Sequence, residues 1–302
     1  MNTMFAGAGW EYDINEQTGK FYADFSYQGW YPVLDLRFEI GNRAGLARKP
    51  SSNDLMRFTW QETNLKAHVS IPWNFSHGKF YRYLTPSFGT TLIHVRHLAS
   101  TPSLFTKGLI PTLDYRLYAV QYLRSNFKDM YPRFGQTMEL NFRHTPFSGN
   151  NMGYLFAAEA NLYFPGIFSH HGIWLYSGYQ QRNEGDTLNY AFSNLVNYPR
   201  GYNGNYDDRL ISISVNYKFP LCYPDFRVGS VFYFKRFKLN LFYDRAEGID
   251  NKIRRTFESC GAELTADLHF LRFLYPFELG VRSIYLPRTG SWGWELLYAV
   301  SL

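Results

Sequence analysis

The residues best placed to do chemistry in this 302-residue chain are Arg200, Gly201 and Tyr202, within the connection 184–207, and Asp244 further on. A guanidinium and a carboxylate form a strong bidentate pair when both are held partly out of water. Gly201 permits the tight backbone that would present such an arginine at a loop tip. Around them stand charges of both signs: Asp35, Arg37, Glu39, Lys66, Asp114, Arg116, Glu139, Arg143, Glu159, Glu263, Asp267 and Arg282. None of these builds a nucleophile–base motif. There is no Gly-x-Ser-x-Gly, no His-Glu-x-x-His and no phosphate-binding loop, and Gly7-Ala8-Gly9 lacks a third glycine. His170-His171 reads as a solvated turn, and Asn203, Asn205, Asp207 and Asp208 lack the spacing of a calcium loop. The chain is therefore expected to be no enzyme and to carry no metal or cofactor.

The elements that hold these charges alternate with period two, as strands with one apolar and one polar face do. Leu65, Ala67, Val69 and Ile71 alternate with Asn64, Lys66, His68 and Ser70. Ile211, Ile213, Val215, Tyr217 and Phe219 alternate with Ser212, Ser214, Asn216 and Lys218. Phe237, Leu239, Leu241 and Tyr243 alternate with Lys238, Asn240 and Asp244, and Phe242 breaks the pattern. Leu34 to Ile40, Glu263 to Phe270 and Trp294 to Leu302 behave likewise. The pattern predicts about fourteen strands: 3–14, 19–29, 32–41, 57–71, 82–97, 110–124, 135–146, 152–164, 173–183, 208–219, 228–245, 257–270, 276–286 and 292–302. Most are longer than the five or six residues common in soluble sheets and match the length of a tilted membrane strand.

Composition points the same way. Phe, Tyr and Trp make up 20% of the chain, with 25 tyrosines, and amphipathic rings suit a boundary between apolar and wet surroundings. No run of about 18 apolar residues offers a helical membrane span. The fold expected is an all-β transmembrane antiparallel barrel filling residues 1–302, with the charges named above facing the lumen. Residues 42–56, 98–109, 184–207 and 246–256 are expected as outer loops, and 30–31, 165–172, 220–227 and 271–275 as inner turns. Aromatic-proline pairs mark four of those turns: Tyr31-Pro32, Phe164-Pro165, Phe219-Pro220 and Tyr275-Pro276. Cys222 falls in an inner turn and Cys260 near the outer end of a strand, beyond disulfide reach, so both are expected as free thiols. The net charge of +6 is dispersed and carries no nucleic-acid signature. It suits lipopolysaccharide and anionic headgroups instead.

The loop and the aspartate carry a resemblance. Arg200-Gly201-Tyr202 in a long outer loop, Phe219-Pro220-Leu221 at the next turn and Asp244 in Phe242-Tyr243-Asp244 are similar to a pattern of the BamA/TamA-like outer-membrane assembly and secretion superfamily. There the loop folds back into the barrel and its arginine pairs with the aspartate. The look is closest to Bacteroidota surface-antigen barrels of unassigned function. The resemblance implies sixteen strands, so that two strands and a signal peptide would precede Met1, and it places the barrel in the outer membrane of a Gram-negative cell. It further implies insertion or transport of protein or lipid, a client protein or periplasmic partner, and a weak seam between first and last strands. Departures are Pro199 before the arginine, Ala246 in place of a glycine, the terminal Leu302, and no POTRA sequence. A passive pore for small solutes and a membrane anchor for a missing domain are the alternatives.

Overall fold

The computed structural model describes residues 3–14, 16–48, 55–126, 128–147, 149–183, 185–187, 190–204, 206–229, 231–270 and 277–300. In chain order the strands are β1 (Met4–Asp13), β2 (Thr18–Tyr27), β3 (Val33–Arg48), β4 (Leu55–Ser70), β5 (Trp73–Asn74), β6 (Phe80–His97), β7 (Gly108–Leu123) and β8 (Gly135–His144). They continue as β9 (Tyr154–Pro165), β10 (Gly172–Asn183), β11 (Arg209–Cys222), β12 (Phe226–Val228), β13 (Phe232–Asp250), β14 (Ile253–Phe270), β15 (Phe277–Leu286) and β16 (Ser291–Val300). Among the described residues, fourteen of these form one sheet in which each pairs antiparallel with its sequence neighbours, while short β5 and β12 lie off that path against β6 and β13. β1 and β16 stand at the two ends of this path.

The two faces of the sheet are inverted relative to a water-soluble protein. Leu36, Phe38, Leu65, Phe88, Leu92, Ile213, Val215, Leu241 and Leu264 are exposed, whereas Glu39, Asn141, Asn216, Lys238, Asn240 and Glu263 are buried. Buried polar residues of this kind must be paired with one another, and an apolar outer band is stable only against hydrocarbon. The chain is an all-β transmembrane barrel with the polar set lining its lumen. In such a setting every backbone N–H and C=O within the bilayer must be satisfied by a neighbouring strand, which the meander does for its interior strands.

Two expected outer loops are shorter than the pattern suggested. β3 and β4 pair as far as Arg48↔Leu55, so residues 42–56 are mostly a strand hairpin whose tip, 49–54, lies outside the described residues. β13 and β14 pair to Asp250↔Ile253, leaving only Asn251 and Lys252 in the turn, with φ of 46° and 68°. Both central residues in the left-handed region make this the reversed hairpin turn that suits strand twist. Lysine is an unusual choice there, which is why alternation and turn chemistry missed it. Ion pairs support the hairpin end: Arg254–Glu247 at 2.7 Å and Arg255–Asp250 at 2.7 Å. The inner turn 271–275 with Tyr275-Pro276, and Leu302, lie outside the described residues.

Candidate functional site

The connection between β10 and β11 enters the lumen and is held at three levels. At the outer end, Phe192 joins Phe58 and Trp60 of β4, Val95 of β6, Ile110 of β7, Leu155 of β9, and Phe105 and Met152 from other loops in one apolar cluster. Lumen-facing positions are apolar here because they meet loop side chains and not water. The Tyr190 hydroxyl donates to Glu62 Oε2 at 2.8 Å, and Asn64 and Trp60 Nε1 donate to the same carboxylate at 2.8 and 3.3 Å. Burial first, then the Glu62 charge, raises the Tyr190 phenol well above its ordinary value, so it stays a donor.

In the middle, β10 supplies a cradle. Gln180 Oε1 accepts the N–H groups of Leu195 and Val196 at 2.8 and 3.2 Å, while its Nε2 donates to Asn194 at 2.9 Å. One buried amide thus treats the loop as if it were another strand. Arg182 Nη1 donates to the Phe192 carbonyl at 3.0 Å. Tyr176 OH accepts Asn197 N–H at 3.1 Å and donates to Glu159 at 3.2 Å. Gly178 is required, since a Cβ there would lie 2.6 Å from Val196 Cγ1. Tyr176, Gln180 and Arg182 were missed in the sequence. Their only signal was a lumen phase carrying Gly178 among large polar residues.

At the tip, Pro199 is fully buried and Gly201 has φ of 83°. The Arg200 side chain does not meet Asp244 in the expected two-pronged pair. Its main-chain N–H donates to Asp244 Oδ2 at 3.1 Å, and Nη1 stands 3.7 Å from Oδ1. The guanidinium is shared more widely: Nη2 donates to Asn216 at 2.8 Å, Nε lies 3.5 Å from Glu263, and Cζ sits 4.1 Å over the Phe242 ring. Phe242, the residue that broke the alternation of β13, is the aromatic shelf beneath the arginine. Asp244 is 4% exposed and also accepts Ser214 Oγ, with Ser259 Oγ at 3.5 Å. Tyr202 OH donates to the Glu258 carbonyl at 3.1 Å and its ring packs edge-on against Phe257. A cavity of about 220 Å³ remains under the tip, bounded by Trp174, Tyr176, Ser212, Ser214, Arg200 and Asp244.

Strand register carries the ion pairs onward. Asn240, Glu263, Arg282 and Glu295 are consecutive cross-strand partners. Arg282 joins Glu263 at 2.7 Å and Glu295 at 2.6 Å. Lys238 holds Asp267 at 2.5 Å and Glu278 at 2.6 Å, and Arg236 also pairs with Asp267. On the opposite wall Arg37 meets Glu39 at 2.6 Å and Asp24 at 3.3 Å, and Lys66 meets Glu39 at 2.9 Å. Arg143 pairs with Asp114 at 3.2 Å, and Arg116 holds Glu139 with two bonds of 2.7 and 2.9 Å. Asp35 occupies a register position between Ser26 and His68 and joins none of these pairs. Most of these charges pair with neighbours along the wall, and among the described residues Asp244 and Glu263 are the carboxylates that reach the loop arginine.

The remaining candidates have structural partners. His170 Nδ1 lies 2.9 Å from Asp129, and His171 Nδ1 lies 2.7 Å from Tyr217 OH with its ring stacked on Phe219. The two imidazoles meet different elements, one the connection between β7 and β8 and the other β11. Burial works to raise the Asp129 carboxyl, but His170, the Asn126 N–H and Arg133 outweigh it and hold it below the ordinary range. Asp207 is fully buried, accepting Tyr198 OH and lying 3.2 Å from Arg255. Asp208 accepts Asn251 N–H at 3.1 Å, and Asn205 lies outside the described residues. Cys222 and Cys260 are free. They stand opposite Phe237 and Tyr243 on the two sides of β13, roughly 20 Å apart along it. Cys260 sits near the middle of β14, not its outer end.

A meander of long strands, an apolar outer face, a charged lumen and a loop folded into it define a transmembrane β-barrel with a re-entrant loop in its lumen. Among solved structures the chain is similar to CdiB from Escherichia coli, with a TM-score of 0.60 and 10% identity over 98% of this chain and 55% of that one. It is also similar to BamA from Haemophilus ducreyi lacking POTRA domains 1–3, with a TM-score of 0.52 and 11% identity over 100% and 71%. CdiB from Acinetobacter baumannii gives 0.53 and 10% over 95% and 51%. At these identities the shared property is the fold, and the chain spans about half the length of the CdiB chains. No family model and no curated protein matches the sequence.

Proposed function

We propose that this barrel resides in the outer membrane of a Gram-negative cell and takes part in insertion or translocation of protein or lipid, with the loop 184–207 as its lumen plug. The single observation behind this reading is the manner of attachment. The loop is held by Tyr190–Glu62 on one wall and by Arg200 with Asp244, Asn216 and Glu263 on the other. Both anchors, like the Gln180 cradle between them, are polar contacts that can exchange for water. The apolar packing of Phe192 and Val196 involves side chains only, so the plug can leave without unfolding a strand. The likeness to CdiB and BamA supports the same reading at the level of fold.

In this account no residue is catalytic. The work is done by binding and by movement, at the loop and at the seam between β1 and β16. Client polypeptide enters from the periplasmic side, and outer-membrane lipid and lipopolysaccharide surround the wall. The test is single-channel conductance in planar bilayers. Intact protein should conduct little, and deletion of 195–206 should produce a stable, large conductance. A large steady conductance in the intact chain would instead favour a pore for small solutes.

A further inference from the structure

We propose that the outer rim of β11, β13 and β14 is a binding site for a bisphosphorylated glycolipid of the surrounding leaflet. The inference rests on the outer-membrane placement above, but not on transport. On the lipid-facing phase of β13, Leu241 and Tyr243 are exposed and are followed by Arg245 and Glu247. On β11, Val215, Ile213 and Ile211 are followed by Arg209, and on β14, Leu264 and Cys260 give way to Glu258 and Arg254. Three strands therefore pass from apolar to charged on their outer surface, which places these side chains at headgroup level and not in the lumen.

Register fixes their arrangement. Arg209, Ile249 and Arg254 are cross-strand partners in one row, and Arg245 and Glu258 are partners in another. The rows are four residues apart, about 13 Å along the strand, and Arg209 and Arg254 are about 10 Å apart across it. Arginines in two separated rows match two separated phosphates better than one. Arg245 is loosely held, 3.5 Å from Glu247 and 3.4 Å from Glu258, and its side chain is 50% exposed. Arg254 meets Glu247 at 2.7 Å and is 67% exposed. Arg209 is exposed and makes no ion pair among the described residues. Three guanidiniums against two carboxylates leave one net positive charge, and the planar fork of arginine matches a phosphate with two bonds. The glutamates hold the arginines apart in the free protein and would be displaced as phosphate binds.

Native mass spectrometry of the full chain in a zwitterionic detergent tests this, with diphosphoryl lipid A, phosphatidylglycerol, phosphatidylcholine or inorganic phosphate added in turn. The expected result is retention of lipid A alone. Replacing Arg209, Arg245 and Arg254 together by Ser should weaken that retention at least tenfold in protein whose heat-modifiable migration is unchanged. E247Q/E258Q should tighten it, a gain that a misfolded variant would not give. Equal binding of phosphatidylglycerol, displacement by inorganic phosphate, or unaltered retention by both variants would overturn the site. The loop-deletion conductance would be untouched by any of these results, so the two proposals fail separately.

Discussion

Asp244→Asn isolates the charge at the loop anchor with almost no change of shape. The carboxylate accepts the Arg200 N–H on one oxygen and Ser214 Oγ on the other, with the guanidinium 3.7 Å away. An amide keeps one acceptor for the loop N–H and offers a donor to Ser214 Oγ, whose hydroxyl must turn to accept it, so the charge is what the substitution removes. Hydrogen bonds to charged groups contribute about 1.5–3 kcal/mol. Removing one charge from a buried pair costs up to about 3–5 kcal/mol, a bound lowered here because Glu263 still faces the guanidinium. A loss of about 2–4 kcal/mol in loop docking corresponds to a shift of roughly 30- to 1,000-fold in the ratio of docked to undocked loop. In planar bilayers the variant should open frequently to the conductance level of the 195–206 deletion, where the parent stays near baseline. The heat-modifiable migration of the barrel should change little, since no strand pairing is lost. If the deletion opens the channel and Asp244→Asn behaves as the parent, the Asp244 charge does not hold the loop.

Tyr190→Phe should also loosen the plug, by about 1–2 kcal/mol, because Glu62 keeps Asn64 and Trp60. The two anchors share no partner, so combining Tyr190→Phe with Asp244→Asn should add their effects within about 0.5 kcal/mol, read from opening frequency. Asp129, in the connection between β7 and β8, titrates lower in the folded protein than in the unfolded chain. Its contribution is therefore complete above about pH 4 and is lost as the pH falls through the folded value. Asp129→Asn should lower the unfolding temperature at pH 7, and the difference from the parent should shrink as the pH falls below the ordinary carboxylate range through the folded value. A difference that persists at low pH would show that the His170 and Arg133 contacts act through shape and not charge.

The likeness to CdiB and BamA at about 10% identity shows how little of this fold depends on particular side chains. Only a pattern is required: apolar outside, polar inside, and enough length to cross. That is why the alternation of residues such as Leu65 to Ile71 carried the architecture. It is also why no residue-level similarity to curated proteins survives.

What the sequence determined by itself is therefore the phase of each strand, the identity of the two faces and the presence of a long loop bearing Arg200. A period-two pattern places each side chain on one face or the other, so the lumen positions of Glu39, Asp114, Glu263 and Asp267 were legible. The tertiary structure alone decided which charges meet. Arg200 and Asp244 lie far apart in sequence, and their contact depends on how the loop crosses the lumen. That path is set by Gln180, Tyr176 and Arg182, whose side chains bind loop backbone and so leave no complementary residue type to recognise. Tyr190 and Glu62 are 128 residues apart, and nothing local marks either as the other's partner. The expected two-pronged pair gave way to a guanidinium shared among Asn216, Glu263 and the Phe242 ring, because a loop tip arriving from above presents its N–H to Asp244 before its side chain. The sequence marked Phe242 as an irregularity in a strand, and the fold made it the surface on which the arginine rests.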